Sequence, residues 1–146
     1  MTNFAVSDTT GGGAGWNVTV AGNGAAGMSA VFKQYCPNAG GCGADPLGYV
    51  TGGRTLPANS LTLDSTGASF TGVGTAPTLK CNAKCNVDSA VAVKVASAAA
   101  AAGAGTWTTT GFSATSLSLS TPTTLRTLAA SEVYRVNIVW TLNTGP

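Results

Sequence analysis

No histidine occurs among the 146 residues, and Asp, Glu, Lys and Arg together make up only 8% of them. The missing histidine removes the usual general base for a Ser or Cys nucleophile and the commonest metal ligand, so Ser-His-Asp and Cys-His chemistry are excluded. The shortage of charge sets aside charge-driven disorder, because ordinary globular chains are about a quarter charged while this one is 44% hydrophobic. The acidic residues are Asp8, Asp45, Asp64, Asp88 and Glu132. No local spacing pairs two of them for acid–base work by twin carboxylates, so the chain is expected not to be an enzyme and to use no cofactor or metal. The basic residues Lys33, Arg54, Lys80, Lys84, Lys94, Arg126 and Arg135 are scattered, and a net charge of +2 is too weak a field to predict nucleic-acid binding. No apolar run reaches the length of a membrane span, and the start Met1-Thr2-Asn3-Phe4 has neither the basic region nor the apolar core of an export signal. Its abrupt passage into Phe4-Ala5-Val6 reads as the cut edge of an excised mature domain. The length predicts one domain over 1–146.

Four cysteines fall in two close pairs, Cys36 with Cys42 and Cys81 with Cys85. The spacings C-x5-C and C-x3-C predict two local disulfides, 36–42 and 81–85. The rival reading is one zinc held by four thiolates, for which these spacings are looser than the usual C-x2-C knuckles. Loops this small take little entropy from the unfolded chain, on the order of 2 kcal/mol each. Their message is an oxidising, extracellular location, in keeping with a chain poor in charge.

Apolar and polar residues alternate in Trp16-Asn17-Val18-Thr19-Val20, and the same period of two returns in 60–64, 91–95 and 116–120. It is clearest from Tyr134 to Leu142, where Tyr134, Val136, Ile138, Trp140 and Leu142 share one face. Arg135, Asn137, Thr141 and Asn143 point the other way, with Val139 the one apolar exception. These are half-buried strands. Gly11-Gly12-Gly13, Gly40-Gly41, Gly52-Gly53 and Pro37, Pro46, Pro57, Pro77 and Pro122 separate them as turns and loops. Many short strands with such breaks predict an all-β fold, a β-sandwich of immunoglobulin-like or Greek-key type with long loops. Two segments stand apart from the strands. Ala96 to Gly105 is alanine-rich and is expected to form a surface crossover or one short helix between the strand around Val93 and the one around Trp107, since Ala has the best helix propensity, and 36–53 is expected to be one long ordered loop of functional kind.

Both ends of the chain carry a resemblance. Phe4-Ala5-Val6-Ser7-Asp8-Thr9-Thr10-Gly11-Gly12-Gly13-Ala14-Gly15-Trp16-Asn17-Val18-Thr19-Val20 resembles the first half of a WxL domain, which opens with a strand, an Asp, a glycine-rich turn and a Gly-Trp. Gly103-Ala104-Gly105-Thr106-Trp107 and the run from Tyr134 through the namesake triplet Trp140-Thr141-Leu142 resemble its second half. The segment from about Gly22 to Leu56 has no counterpart in the resemblance. Val18 stands where the first motif ends in Leu, and Thr10 where the family often has Arg. The resemblance implies a secreted sandwich-like domain of Gram-positive bacteria at the cell surface, attached to the wall without a covalent link. Peptidoglycan or another wall polymer would be its partner, and other surface proteins or a second copy the alternative partners.

The alternation places Trp16, Val18, Tyr134, Trp140 and Leu142 in the core. Trp107, which follows glycines and precedes Thr108-Thr109-Thr110, and Tyr35 and Tyr49, which flank the cysteine loop, are the candidate ligand-binding aromatics, since a ring face packs against sugar C–H surfaces. Asp8, before a glycine run, reads as a turn residue accepting backbone N–H bonds rather than a calcium ligand.

Overall fold

The computed structural model describes residues 1–38 and 41–146; Ala39 and Gly40, part of the expected 36–53 loop, lie outside the described residues. The chain is all-β. Its strands are β1 (Ala5–Asp8), β2 (Trp16–Gly22), β3 (Lys33–Cys36), β4 (Gly48–Tyr49), β5 (Leu61–Leu63), β6 (Ser69–Thr71), β7 (Thr78–Leu79), β8 (Cys85–Asn86), β9 (Val93–Ala98), β10 (Gly105–Thr110), β11 (Leu117–Leu119), β12 (Val133–Arg135) and β13 (Ile138–Thr144). They form four antiparallel sheets in the orders β13-β2-β9-β7, β1-β10-β6, β11-β5-β8 and β12-β3-β4. Spatial neighbours are rarely neighbours in sequence, as in Greek-key sandwiches.

The main core lies between the first three of these sheets. Trp16, Val18 and Val20 of β2 alternate inward as the period of two requires, and meet Val6 of β1, Leu61 and Leu63 of β5, and Val95, Ala96 and Ala98 of β9. Cys81 is fully buried in this cluster. Asp88 is buried too, and its carboxylate accepts the N–H groups of Ser60 at 3.0 Å and Leu61 at 2.9 Å, which anchors the entry to β5.

The alanine-rich segment is not helical. Ala96, Ser97 and Ala98 complete β9 and are buried, and a tight turn follows, with the Ala102 N–H on the Ala99 carbonyl at 3.0 Å. Helix propensity yields here to packing, because the small side chain of Ala98, opposite Trp16 in the ladder, leaves room for the indole. Gly103, at φ +73°, completes that slot. A Cβ there would lie 2.7 Å from Trp16 Nε1, and its own carbonyl accepts the indole N–H at 3.0 Å.

The expected long strand from Tyr134 to Leu142 is two strands in different sheets. The break is at Asn137, whose backbone N–H turns to the Ser29 carbonyl at 2.9 Å and whose side-chain oxygen takes the Tyr49 hydroxyl. Tyr134 therefore belongs to β12 in the small sheet, and Trp140 to β13 at the rim of the large one.

The ladder of β13 on β2 is unbroken from Ile138↔Gly22 to Thr144↔Trp16. It is continued by the Asn23 N–H on the Asn137 carbonyl and the Gly145 N–H on the Gly15 carbonyl. Odd-numbered residues of β13 thus bond inward to β2, and Ile138, Trp140, Leu142 and Thr144 turn their N–H and C=O groups to the sheet's open edge.

Both cysteine pairs are disulfides, Cys36–Cys42 and Cys81–Cys85, with sulfurs 2.12 and 2.13 Å apart. No cysteine is left free for a metal.

Candidate functional site

The small sheet β12-β3-β4 stands beside the main core and carries two different faces. Along β3, Gln34 and Cys36 point inward and Lys33 and Tyr35 outward. Tyr35 lies in register with Tyr49 of β4 on one side and Val133 of β12 on the other, and Lys33 lies in register with Arg135. Side chains directly opposite in a ladder share a face, so one surface collects Lys33, Tyr35, Tyr49, Val133 and Arg135.

The two tyrosine rings meet edge to face with centroids 5.0 Å apart, and the Arg135 guanidinium sits 4.5 Å above the Tyr35 ring centroid. Both rings are half-buried. Burial pushes the Tyr49 hydroxyl above the usual phenol value, Arg135 pulls it back, and Tyr35 adds to the rise. The hydroxyl donates to the Asn137 side-chain oxygen. This arrangement can pack against the C–H surface of a sugar and offer guanidinium and ammonium donors to an anion.

The inward face is a polar clamp. Gln34 Nε2 donates to Glu132 Oε1 at 2.8 Å and to Asp45 Oδ2 at 3.3 Å, and Gln34 Oε1 accepts the Arg54 N–H at 3.0 Å. The second Glu132 oxygen accepts the Ala129 N–H at 3.0 Å. The fold thereby brings together two carboxyl groups that no local spacing pairs. The neighbouring Glu132 holds the Asp45 carboxyl above its ordinary value, and the Gln34 amide holds Glu132 below its own. Through Gln34 the pair ties the segment after Cys42 to β3 and to the residue before β12.

Trp107 is not on any such surface. It is 2% exposed, at the centre of β1-β10-β6 opposite Val6, with its indole N–H on the Ala104 carbonyl at 3.0 Å. The glycines before it make the turn into β10 and leave the ring covered by the backbone at Gly72, where a Cβ would lie 2.6 Å from Trp107 Cε3.

The expected motif core divides. Trp16 and Val18 are buried at 3% and 6% exposure, whereas Trp140 is 44% and Leu142 55% exposed. Tyr134 is half-buried and gives its hydroxyl to the Arg126 carbonyl at 3.0 Å. Period-two alternation marks which residues share a face and says nothing of whether another layer covers that face. At β13 it is covered only in part. Trp140 packs on Phe4, centroids 5.4 Å apart, and lines an open groove of about 680 Å³ with Leu117, Ile138 and Leu142. A smaller pocket of about 320 Å³ is lined in part by Arg54, Arg126 and Tyr134.

Asp8 accepts both the N–H of Thr10 at 3.1 Å and its hydroxyl at 2.7 Å, a turn-forming role. Among the described residues no group of three Cys, Asp or Glu gathers as a metal site, and no helix is long and apolar enough to cross a membrane. Lys33, Arg135, Asn137 and Gln34 escaped sequence reasoning. The alternation from Tyr134 onward places Arg135 and Asn137 on the outward face, but β3 carries no such signal, and only the ladder shows which of these residues face one another.

Layered antiparallel sheets, local disulfides and an aromatic-cationic face beside them define a disulfide-clipped β-sandwich module. The family model described as "WxL domain surface cell wall-binding" matches residues 2–146, essentially the whole chain, and the chain belongs to the WxL domain family. No curated protein and no solved structure matches it. The family is a cell-surface, wall-binding one, so a wall polymer is the general class of partner.

Proposed function

We propose that residues 1–146 act as one extracellular module that attaches its host protein non-covalently to the Gram-positive cell wall, with peptidoglycan as the polymer bound and no chemistry performed on it. The observation that carries this reading is the half-buried Tyr35–Tyr49 pair under Arg135, a preformed aromatic-cationic face on a wall-binding domain. Rigid β-strands and the Cys36–Cys42 clip hold it in place, so little ordering entropy is lost on binding. The test is a pull-down of the purified domain with isolated sacculi, with and without teichoic acids, against an inert protein of equal charge. Binding that survives stripping is the expected result. Absence of binding to both preparations overturns direct wall attachment.

A second reading is favoured by one specific observation. β13 is an edge strand of seven residues with no charge, no proline and no bulge against β2, and so lacks the devices that normally guard an edge. Self-association or capture of a strand from another surface protein would use this edge. Light scattering over a concentration range separates it from the first reading, since attachment by a monomer leaves the particle mass constant.

A further inference from the structure

Lys33 and Arg135 are directly opposite each other in the β3–β12 ladder. Like charges at such positions repel and destabilise the pair. The cost is notable in a chain that has only 7 Lys and Arg residues in total; β3, β4 and β12 contain no acidic residue, and the nearby carboxylates of Glu132 and Asp45 are engaged by Gln34, which points to the opposite face of β3. Arg135 is further constrained. Its guanidinium carbon sits 4.5 Å over the Tyr35 ring centroid, a contact to the ring face that uses none of the five N–H donors as a hydrogen bond to the ring. The same contact covers one face of Tyr35, while Tyr49 abuts that ring edge to face. A sugar therefore finds only part of the aromatic surface free, and the two cations are the strongest grip this face can offer.

We infer that the Lys33–Arg135 pair on the outer face of the small sheet is an anion subsite, and that the wall ligand of this domain is an acidic polymer segment whose carboxylate or phosphate bridges the two side chains beside Tyr35 and Tyr49. This rests on the wall-attachment reading and adds to it the charge of the group recognised. The bound anion turns the repulsion between the two cations into a shared attraction, so a cost in the free domain becomes part of the binding affinity.

The experiment compares the wild-type domain with Lys33→Gln, Arg135→Gln and the double variant. The probes are intact sacculi, sacculi stripped of teichoic acids, and stripped sacculi whose carboxyl groups have been amidated. Wild-type binding is expected to weaken as salt rises, and the double variant to bind about tenfold more weakly, with that salt dependence lost. Charge-dependent binding lost on stripping identifies a phosphodiester as the anion. Binding lost only on amidation identifies a carboxylate. Without ligand, Lys33→Gln is expected to raise the melting temperature by about 1–3 °C as the repulsion is relieved, so the variant gains stability while it loses affinity. Equal affinity and equal salt dependence of wild type and double variant, with wild type bound, overturn the anion subsite and leave wall attachment standing. Wild type that binds none of the three preparations overturns both. A Lys33→Gln domain less stable than wild type removes the repulsion on which the inference is built.

Discussion

Trp16 and Trp140 begin the family's two motif positions, yet their removal should have unequal consequences. Trp16 is 3% exposed. Its ring contacts Phe70 edge to face at 6.1 Å, and its N–H is bonded to the Gly103 carbonyl. Trp16→Ala deletes a fully packed indole, leaves a sealed void and orphans that carbonyl, for an expected cost of about 3–5 kcal/mol. At roughly 3 °C per kcal/mol for a domain of this size, the melting temperature should fall by about 10–15 °C. Trp140 is 44% exposed, and its groove opens to solvent. Its removal creates no enclosed cavity, so only the transfer of the buried part of the ring is lost. That is about 1–2 kcal/mol, or about 3–6 °C. Thermal unfolding by circular dichroism at matched low protein concentration, disulfides intact, measures both. Equal losses for the two variants would refute the reasoning, because they would mean that β13 is covered in solution and the groove is closed.

Three further outcomes follow from particular contacts. Asp88→Ala leaves the N–H groups of Ser60 and Leu61 without their buried acceptor and should cost about 3 kcal/mol in urea unfolding; a loss under about 1 kcal/mol would show that β5 does not depend on it. Gly103→Ala places a methyl group against the Trp16 indole at a backbone angle that disfavours any side chain, and should lower the melting temperature at least as far as Trp16→Ala; a neutral result would contradict the packing of that slot. The hydroxyl and N–H of Thr10 hold the Asp8 carboxyl below its ordinary value. A folded-state pKa depressed in this way stabilises the fold above the unfolded carboxylate value of about 4 and loses that stabilisation as pH falls through the lower folded one. The stability gap between wild type and Asp8→Asn should therefore be constant near neutral pH and close in acid. A gap that widens on acidification would reverse the sign of the argument.

Much of this molecule is legible before folding is considered. Alternation in 16–20 predicts β2 and its buried side chains, because a strand's side chains must take opposite faces whatever surrounds it. The paired cysteines predict their local bridges for a similar reason, since short separations limit the partners each sulfur can reach. The absence of histidine removes whole classes of chemistry with no reference to shape. The two tyrosines flanking the cysteine loop were identifiable as neighbours of a constrained segment, though not as neighbours of each other.

Tertiary structure alone decided which of the alternating faces would be covered. Trp107 and Trp140 differ little in local sequence character, yet one lies on the central strand β10 and the other on the edge strand β13, and burial follows that position. Alanine propensity in 96–102 gave way to the space needed by an indole from β2. The turn at Asn137 separated Tyr134 from Trp140 because the Ser29 carbonyl takes its backbone N–H while the Tyr49 hydroxyl of β4 donates to its side-chain oxygen. The candidate site is non-local in the same sense, since Lys33 meets Arg135, and Gln34 meets Glu132, across about a hundred residues. Periodicity is a property of the local backbone and can be read from sequence. Coverage, register and the meeting of charges belong to long-range strand pairing, which the sequence encodes only through the summed energy of the whole fold.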